Sequence, residues 1–211
     1  MLPMPTKVTA SIVFHSNSGH TRQAAQLLES AISSKEVHVN LVPVENVHAH
    51  WEVLHGSDTL IFGCPTLLGN VSARFKDFME ETGAFWYRQL WRNKWAAAFT
   101  VSSTVCGDKS NVLQSMALFA AQHGMHWINL GIVPRFINDQ QTDGQNRLAS
   151  YQGLMIQSDN SQKQVDPFHP GDILTLEMFG HRIAEVTLAS AKSSTFPDAP
   201  LRPLVKNPWK F

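Results

Sequence analysis

The β-branched, apolar run Val8–Phe14 gives way within a few residues to Ser16-Asn17-Ser18-Gly19-His20-Thr21, and a helical pattern follows over residues 22–32. A strand that feeds a short glycine-bearing turn opening straight into a helix is the start of a βα unit, and it restricts the folds open to the chain. The first turn of a helix has unpaired N–H groups at the positive end of its dipole, so this turn attracts an anion. Ser16, Ser18 and Thr21 add hydroxyl donors, Asn17 and His20 further polar groups, and Gly19 lets the main chain approach closely. The loop contains no lysine and lacks the GxxxxGK[ST] spacing of a nucleoside-triphosphate loop. Neutral donors of this kind suit a phosphate monoester that is held and not transferred, the anchor of a cofactor.

The same alternation continues along the chain. Strands are expected at residues 7–14, 37–44, 58–63, 94–102 and 126–133, and helices at 19–33, 70–82, 109–123 and 172–191. Ala24, Ala25, Leu28 and Ile32 form one apolar helical stripe, and Val112, Leu113, Met116, Phe119 and Ala120 another. Alternating strands and helices with right-handed crossovers predict a doubly wound parallel sheet of order 2-1-3-4-5, layered α/β/α. That order brings the loops after strands one, three and four together at the carboxyl edge, where such sheets bind ligands.

Two segments fall outside this frame. Residues 134–170 form a polar excursion rich in Gln, Asn, Asp and Ser, open to reading as a lid, a subunit contact or a mobile loop. Residues 192–211 carry Pro197, Pro200, Pro203 and Pro208 among Leu201, Leu204, Trp209 and Phe211, an extended tail that would dock on its own domain or on a neighbouring subunit. The remainder, 1–191, reads as one domain, which suits a chain of 211 residues.

Composition excludes several classes of function. Lys+Arg and Asp+Glu number 17 each, so the chain has neither the basic excess of a nucleic-acid binder nor the single-signed field of a carrier that docks by charge. No apolar run approaches the ~20 residues of a bilayer-spanning helix, and residues 1–5 lack the pattern of a secretory signal. Two cysteines, Cys64 and Cys106, suit a reducing cytoplasm, either as small buried residues or as a redox pair. His48, His50 and His55 cluster near Glu45 and Glu52 but have no clear metal-ligand frame, so no metal is expected.

The second loop, Gly63-Cys64-Pro65-Thr66-Leu67-Leu68-Gly69-Asn70, is bent by Pro65 and Gly69, and Asn70 is placed to cap the next helix. A planar ring along it would receive backbone N–H groups while Leu67 and Leu68 cover its face. The third loop, Ser102-Ser103-Thr104-Val105-Cys106-Gly107, offers hydroxyls and main-chain donors to the far end of a ring.

Residues 14–21 and 63–70 resemble the FMN phosphate and ring loops of the flavodoxin-like superfamily. The run Phe78-Met-Glu-Glu-Thr-Gly-Ala-Phe-Trp86 and the stretch His123-Gly-Met125 narrow the resemblance to the WrbA-type NAD(P)H:quinone oxidoreductases. The likeness covers residues 7–133 and the last helix; residues 143–153 and the tail match poorly. It implies a flavodoxin-like fold, FMN as cofactor, NAD(P)H as electron donor, a quinone-like acceptor and a homodimer or homotetramer in the cytoplasm. It implies phosphate contacts from Ser16 to Thr21 and ring contacts from Pro65, Thr66, Leu67, Leu68, Gly69 and Asn70 and from Ser102 to Gly107. It also implies His123 near the flavin and Trp86 near the bound substrate, across a subunit boundary.

The residues themselves leave His123 open to a plain role as a helix-end histidine, and Trp86 to one in the core or an interface. The chain departs from the family at Leu67 and Leu68, where an arginine and an aromatic are usual, at Ser18, and in the bulkier third loop. The expected function is therefore two-electron transfer from NAD(P)H through FMN to a quinone or similar small acceptor. The alternatives are a one-electron carrier and a non-enzymatic FMN-binding module.

Overall fold

The computed structural model describes residues 8–135, 144–159 and 167–192. The strands are β1 (Val8–Phe14), β2 (Val37–Pro43), β3 (Thr59–Pro65), β4 (Trp95–Ser102), β5 (His126–Trp127) and β6 (Leu154–Gln157). The helices are α1 (His20–Ile32), α2 (Trp51–Gly56), α3 (Ala73–Glu81), α4 (Gly83–Arg88), α5 (Lys109–Gln122) and α6 (Pro170–Lys192), with a 3₁₀ stretch at Val44–Ala49. The sheet is parallel, in the expected order β2-β1-β3-β4-β5, with β6 also paired to β4. This is the flavodoxin-like α/β fold. The proline-rich tail expected over residues 192–211 lies outside the described residues, apart from the helical backbone at 192.

Side chains of each strand alternate between two cores, as a sheet covered on both faces requires. Ile12, Phe14, Ile61, Phe99 and Val101 face α1 and α6, where they meet Leu28, Ile32, Leu176 and Phe179. Val13, Leu60, Phe62 and Ala98 face the other way, against Phe75, Phe78, Val112 and Phe119 from α3 and α5. Burying each large aliphatic or aromatic side chain contributes about 1.5–3 kcal/mol, and the two cores account for both helical layers. Gly63 is set by this packing: a Cβ there would lie 2.2 Å from Phe99 Cζ, so the Phe99 ring fills the space a side chain would need.

The fifth strand position differs from expectation. Ile128, Leu130 and Ile132 are buried in alternation, which is the signal the sequence carries, yet β5 ends at Trp127. After Ile128 donates to Ala96, the chain leaves β4, and Leu130 donates instead to Tyr151 O at 3.0 Å. The vacated edge is taken by β6 from the polar excursion, in register from Phe99↔Leu154 to Ser102↔Gln157. Gly153 makes this entry possible, since a Cβ there would stand 2.6 Å from the Ala98 carbonyl oxygen. Part of residues 134–170 is thus sheet, which the polar composition concealed. The helix expected over residues 70–82 begins later, at Ala73, because Leu67 and Asn70 pair with each other in a turn before it.

Candidate active site at the carboxyl edge

Register aligns the ends of β1, β3 and β4, pairing Phe14 with Gly63, Gly63 with Phe99 and Pro65 with Val101. The three loops leaving these strands meet, as the strand order requires.

In the first loop Gly19 stands at the N-cap of α1 with φ 96°, a left-handed conformation that favours glycine. A Cβ at Gly19 would meet nothing within 4 Å, so in the protein alone it is this backbone angle, and not crowding, that calls for glycine. The N-cap residue, Gly19, has no side chain with which to cap α1, and among the described residues only one first-turn N–H finds a side-chain acceptor. Ser16 Oγ accepts from Arg22 N–H at 3.1 Å, folding the loop over the helix end, and Ser18 and His20 approach each other at 3.4 Å. The start of α1 therefore keeps the positive, donor-rich character of an anion site.

The second loop is anchored below and turned out above. Thr66 N–H donates to Val101 O at 2.9 Å, and the Thr66 and Thr100 hydroxyls meet at 2.7 Å. Leu67 and Asn70 exchange both backbone hydrogen bonds at 3.1 Å around Leu68 (φ 49°) and Gly69 (φ 73°). Positive φ at both central residues makes this a type I′ turn, costly for leucine, and Leu68 is 108% exposed. A bulky apolar side chain held there against both rules suits the cover of a planar ligand. Asn70 does not cap α3. Ser72 does, accepting from Phe75 N–H at 3.3 Å, and His15 Nδ1 lies 2.8 Å from the same Ser72 Oγ. His15 thus fastens the first loop to the second, and burial lowers its pKa, with Glu45 opposing.

The third loop, over residues 103–108, is held from beneath. Gln157 Nε2 donates to Ser103 O at 3.0 Å, Ser158 N–H donates to Ser102 O at 3.0 Å, and the buried Lys109 ammonium donates to the carbonyls of Thr104, Val105 and Cys106. Asn111 Nδ2 donates to Gly69 O at 2.7 Å, tying α5 to the second loop.

A cleft of about 130 Å³ joins these parts. Ser18, His20 and Thr21 line it from the first loop and the start of α1, Pro65, Thr66 and Leu67 from the end of β3 and the second loop, Val101 and Ser102 from the end of β4, Ser103 from the third loop, and Ser158 from beyond β6. Ser16, Asn17, Gly19, Leu68, Gly69, Asn70 and residues 104–107 belong to the same three loops but not to its lining. A groove of about 350 Å³ lies elsewhere, between the 3₁₀ stretch and α3, with Glu45, Asp77 and Glu81 in its wall.

His123 and Trp86 are not at this edge. Because α3 and α5 run back from the carboxyl edge, α4 and the C-terminus of α5 lie at the amino edge. Trp86 is half-buried on α4. His123 is 1% exposed, hydrogen-bonded through Nε2 to Thr82 Oγ1 at 3.0 Å, and packed 4.8 Å from Trp91 and 4.7 Å from Phe119. Burial pulls its pKa down to about 4. Within one protomer, then, it is the neutral helix-end histidine of the alternative reading. Cys64 and Cys106 do not behave as a pair: Cys64 is buried with its thiol pushed up to about 12, and Cys106 is exposed. His48, His50 and His55 go separate ways, to Glu81, to Asn46 O and to Trp91 Nε1.

Residues 10–135 match the model of a family described as NADPH-dependent FMN reductase. The chain belongs to that family. Membership makes it an FMN- and NAD(P)H-dependent oxidoreductase with a flavodoxin-like fold. It is 29% identical to flavodoxin FldP of Pseudomonas aeruginosa over 84% of this chain and 95% of that protein. It is also 29% identical to an NAD(P)H dehydrogenase (quinone) of Archaeoglobus fulgidus, over 83% and 95% respectively. Among solved structures, the flavodoxin, WrbA-like protein of Agrobacterium tumefaciens superposes with a TM-score of 0.68 at 28% identity, covering 87% of this chain and 99% of that one.

The donor set fits FMN. A helix start at a glycine N-cap, hydroxyls beside it, and a loop with two exposed leucines are features that an FMN phosphate and ring would need. Sequence reasoning missed His15, Ser72, Asn111, Lys109 and Ser158. His15 adjoins the phosphate motif and could have been included; the others are joined to the site only by long-range packing.

Proposed function

We propose that this protein passes two electrons from NAD(P)H through FMN to a quinone or similar small acceptor. Ser16, Asn17, Ser18, Gly19, His20 and Thr21 would hold the FMN phosphate. Pro65 to Asn70 and Ser102 to Gly107 would hold the ring. Bound there, FMN supplies hydride acceptance and electron release, and the chain's residues orient it.

The observation that carries this reading is the start of α1 at a glycine N-cap, with first-turn N–H groups open to the same cleft as the ring loops. Thr66, locked to β4 by its hydroxyl and its N–H, fixes the floor of the ring loop. Leu67, 43% exposed, and Leu68 provide an apolar cover that limits water without adding charge. No side chain in the cleft needs to act as acid or base.

Assembly as a homodimer or homotetramer belongs to this proposal, because Trp86, at the amino edge, would reach a ring only in another copy. So does a cytoplasmic location. Among the described residues no helix is long and apolar enough to cross a membrane.

NAD(P)H oxidation with benzoquinone as acceptor tests the reading. Turnover that requires both NAD(P)H and the quinone is expected. FMN binding with no such turnover would favour the one-electron carrier that the likeness to flavodoxin FldP brings forward.

A further inference from the structure

Lys109 is 1% exposed, although lysine is almost never buried without a partner. Its ammonium is held by three successive carbonyls, of Thr104, of Val105 at 3.2 Å and of Cys106 at 3.5 Å. In a trans peptide the C=O and the following N–H point in opposite directions. Drawing these carbonyls inward to one cation therefore turns the N–H groups of Val105, Cys106 and Gly107 outward. Among the described residues none of the three N–H groups has an acceptor.

The surroundings of the ammonium are also charged. Arg147 grips Asp172 through Nε at 2.8 Å and Nη2 at 2.9 Å, and Asp172 Oδ2 accepts from Gln157 N–H at 2.8 Å. Arg147 Nη2 also donates to Gln157 Oε1, and Gln157 Nε2 donates to the Ser103 carbonyl. Asp172, Arg147 and the Cys106 thiol are the titratable groups facing Lys109; burial pulls its pKa down to about 8, with Asp172 opposing. Arg147 and Asp172 pair with each other, and among the described residues no carboxylate comes within ion-pair reach of the Lys109 ammonium. Its positive charge is left without a paired carboxylate beneath the third loop, while Leu67 and Leu68 place none in the second.

We infer that Lys109 is a positioning residue for the flavin: it sets the third loop with its N–H groups outward, and the surplus charge of the Lys109–Asp172–Arg147 group favours the reduced ring over the oxidised one. Oxidised FMN is neutral at its ring, whereas the reduced ring bears negative charge, so a fixed buried cation stabilises the reduced form selectively. This deepens the proposed function and rests on it.

The test uses the FMN-loaded protein and two variants, Lys109→Met and Asp172→Asn. FMN affinity is read by quenching of flavin fluorescence, and the two-electron midpoint potential by equilibration with a reference dye. Lys109→Met is expected to weaken oxidised FMN roughly tenfold by freeing the loop, and to lower the ratio of reduced to oxidised affinity by a further tenfold or so, a potential about 30 mV more negative. Asp172→Asn removes the only carboxylate of the group and is expected to shift the potential in the opposite direction. A merely structural role would not reverse the sign. Potentials within twofold of wild type in affinity ratio, or shifts of the same sign in both variants, would overturn the inference while leaving FMN binding intact. If Lys109→Met does not fold, the sign of the Asp172→Asn shift decides alone. A wild-type protein that takes up no FMN would overturn the proposed function together with this inference.

Discussion

The two edges of one sheet are built on opposite rules. At the carboxyl edge α1 starts at a glycine N-cap, Leu68 is fully exposed at positive φ, and three loops meet over a cleft. At the amino edge Trp91 is 0% exposed with Phe78, Phe85 and Phe119 around it, and His123 is buried between Trp91 and Phe119. The carboxyl edge leaves backbone donors and an exposed leucine around a cleft, as ligand sites do. The amino edge buries aromatic bulk and encloses its own strain, with Gln89 and Asn93 at positive φ and, among the described residues, His123 Nδ1 without a partner. Stability and binding should therefore separate by position.

The largest effect is expected for Trp91→Ala, which empties the centre of the aromatic cluster and leaves His55 Nδ1 without its indole donor. Unfolding in urea should show a loss of about 3–5 kcal/mol, with FMN affinity in the folded variant within twofold of wild type. A large loss of FMN affinity would join the two edges and break the contrast.

Acid should strike the amino edge next. His123 has its pKa lowered from 6.5 to about 4 in the folded state, so below 6.5 the unfolded chain binds the proton more readily. Stability contributed by this residue is complete above pH 6.5 and falls as the pH drops toward 4. The drop from 6.5 to about 4 corresponds to roughly 3 kcal/mol at most. Urea melts at pH 7 and pH 4.5 should show a loss that shrinks in His123→Leu; an unchanged pH dependence would place the titrating group elsewhere.

Gly19→Val acts at the other edge. The φ of 96° is strained for a β-branched residue, and forcing it to relax moves the helix start. FMN affinity should fall tenfold or more, against a stability loss of only about 1–2 kcal/mol. Equal FMN affinity would remove the phosphate from the α1 terminus.

Leu68→Gly gives the smallest and most discriminating change. Relief of the positive φ should raise stability by a few tenths to about 1 kcal/mol, while FMN affinity falls several-fold as the ring loses its cover. A thermal melt paired with an FMN titration checks both signs at once.

Much of this was legible in the sequence, because short-range patterns carried it. The apolar, β-branched run Val8–Phe14 and the 3–4 spacing of Ala24, Leu28 and Ile32 marked the strand, the helix and the face the helix buries. Strand order then brought the three loops together. What stayed hidden was long-range. Leu154–Gln157 is too short to stand out within a polar segment, and its place in the sheet depends on Gly153 fitting against Ala98. Lys109 read as an ordinary first-turn helix residue, and only the loop folded back over it shows the three carbonyls. His123 and Trp86 were placed by resemblance across a subunit boundary, and within one protomer the reversal of α3 and α5 carries both to the far edge.

The central claim is that the start of α1 grips the phosphate of FMN. Calorimetric titration of the apoprotein with FMN and, separately, with riboflavin tests it directly. Two charge-assisted hydrogen bonds at about 1.5 kcal/mol each predict one site per chain, with FMN bound on the order of 100-fold more tightly than riboflavin. Equal affinity for the two compounds, or no saturable heat with FMN, would contradict it.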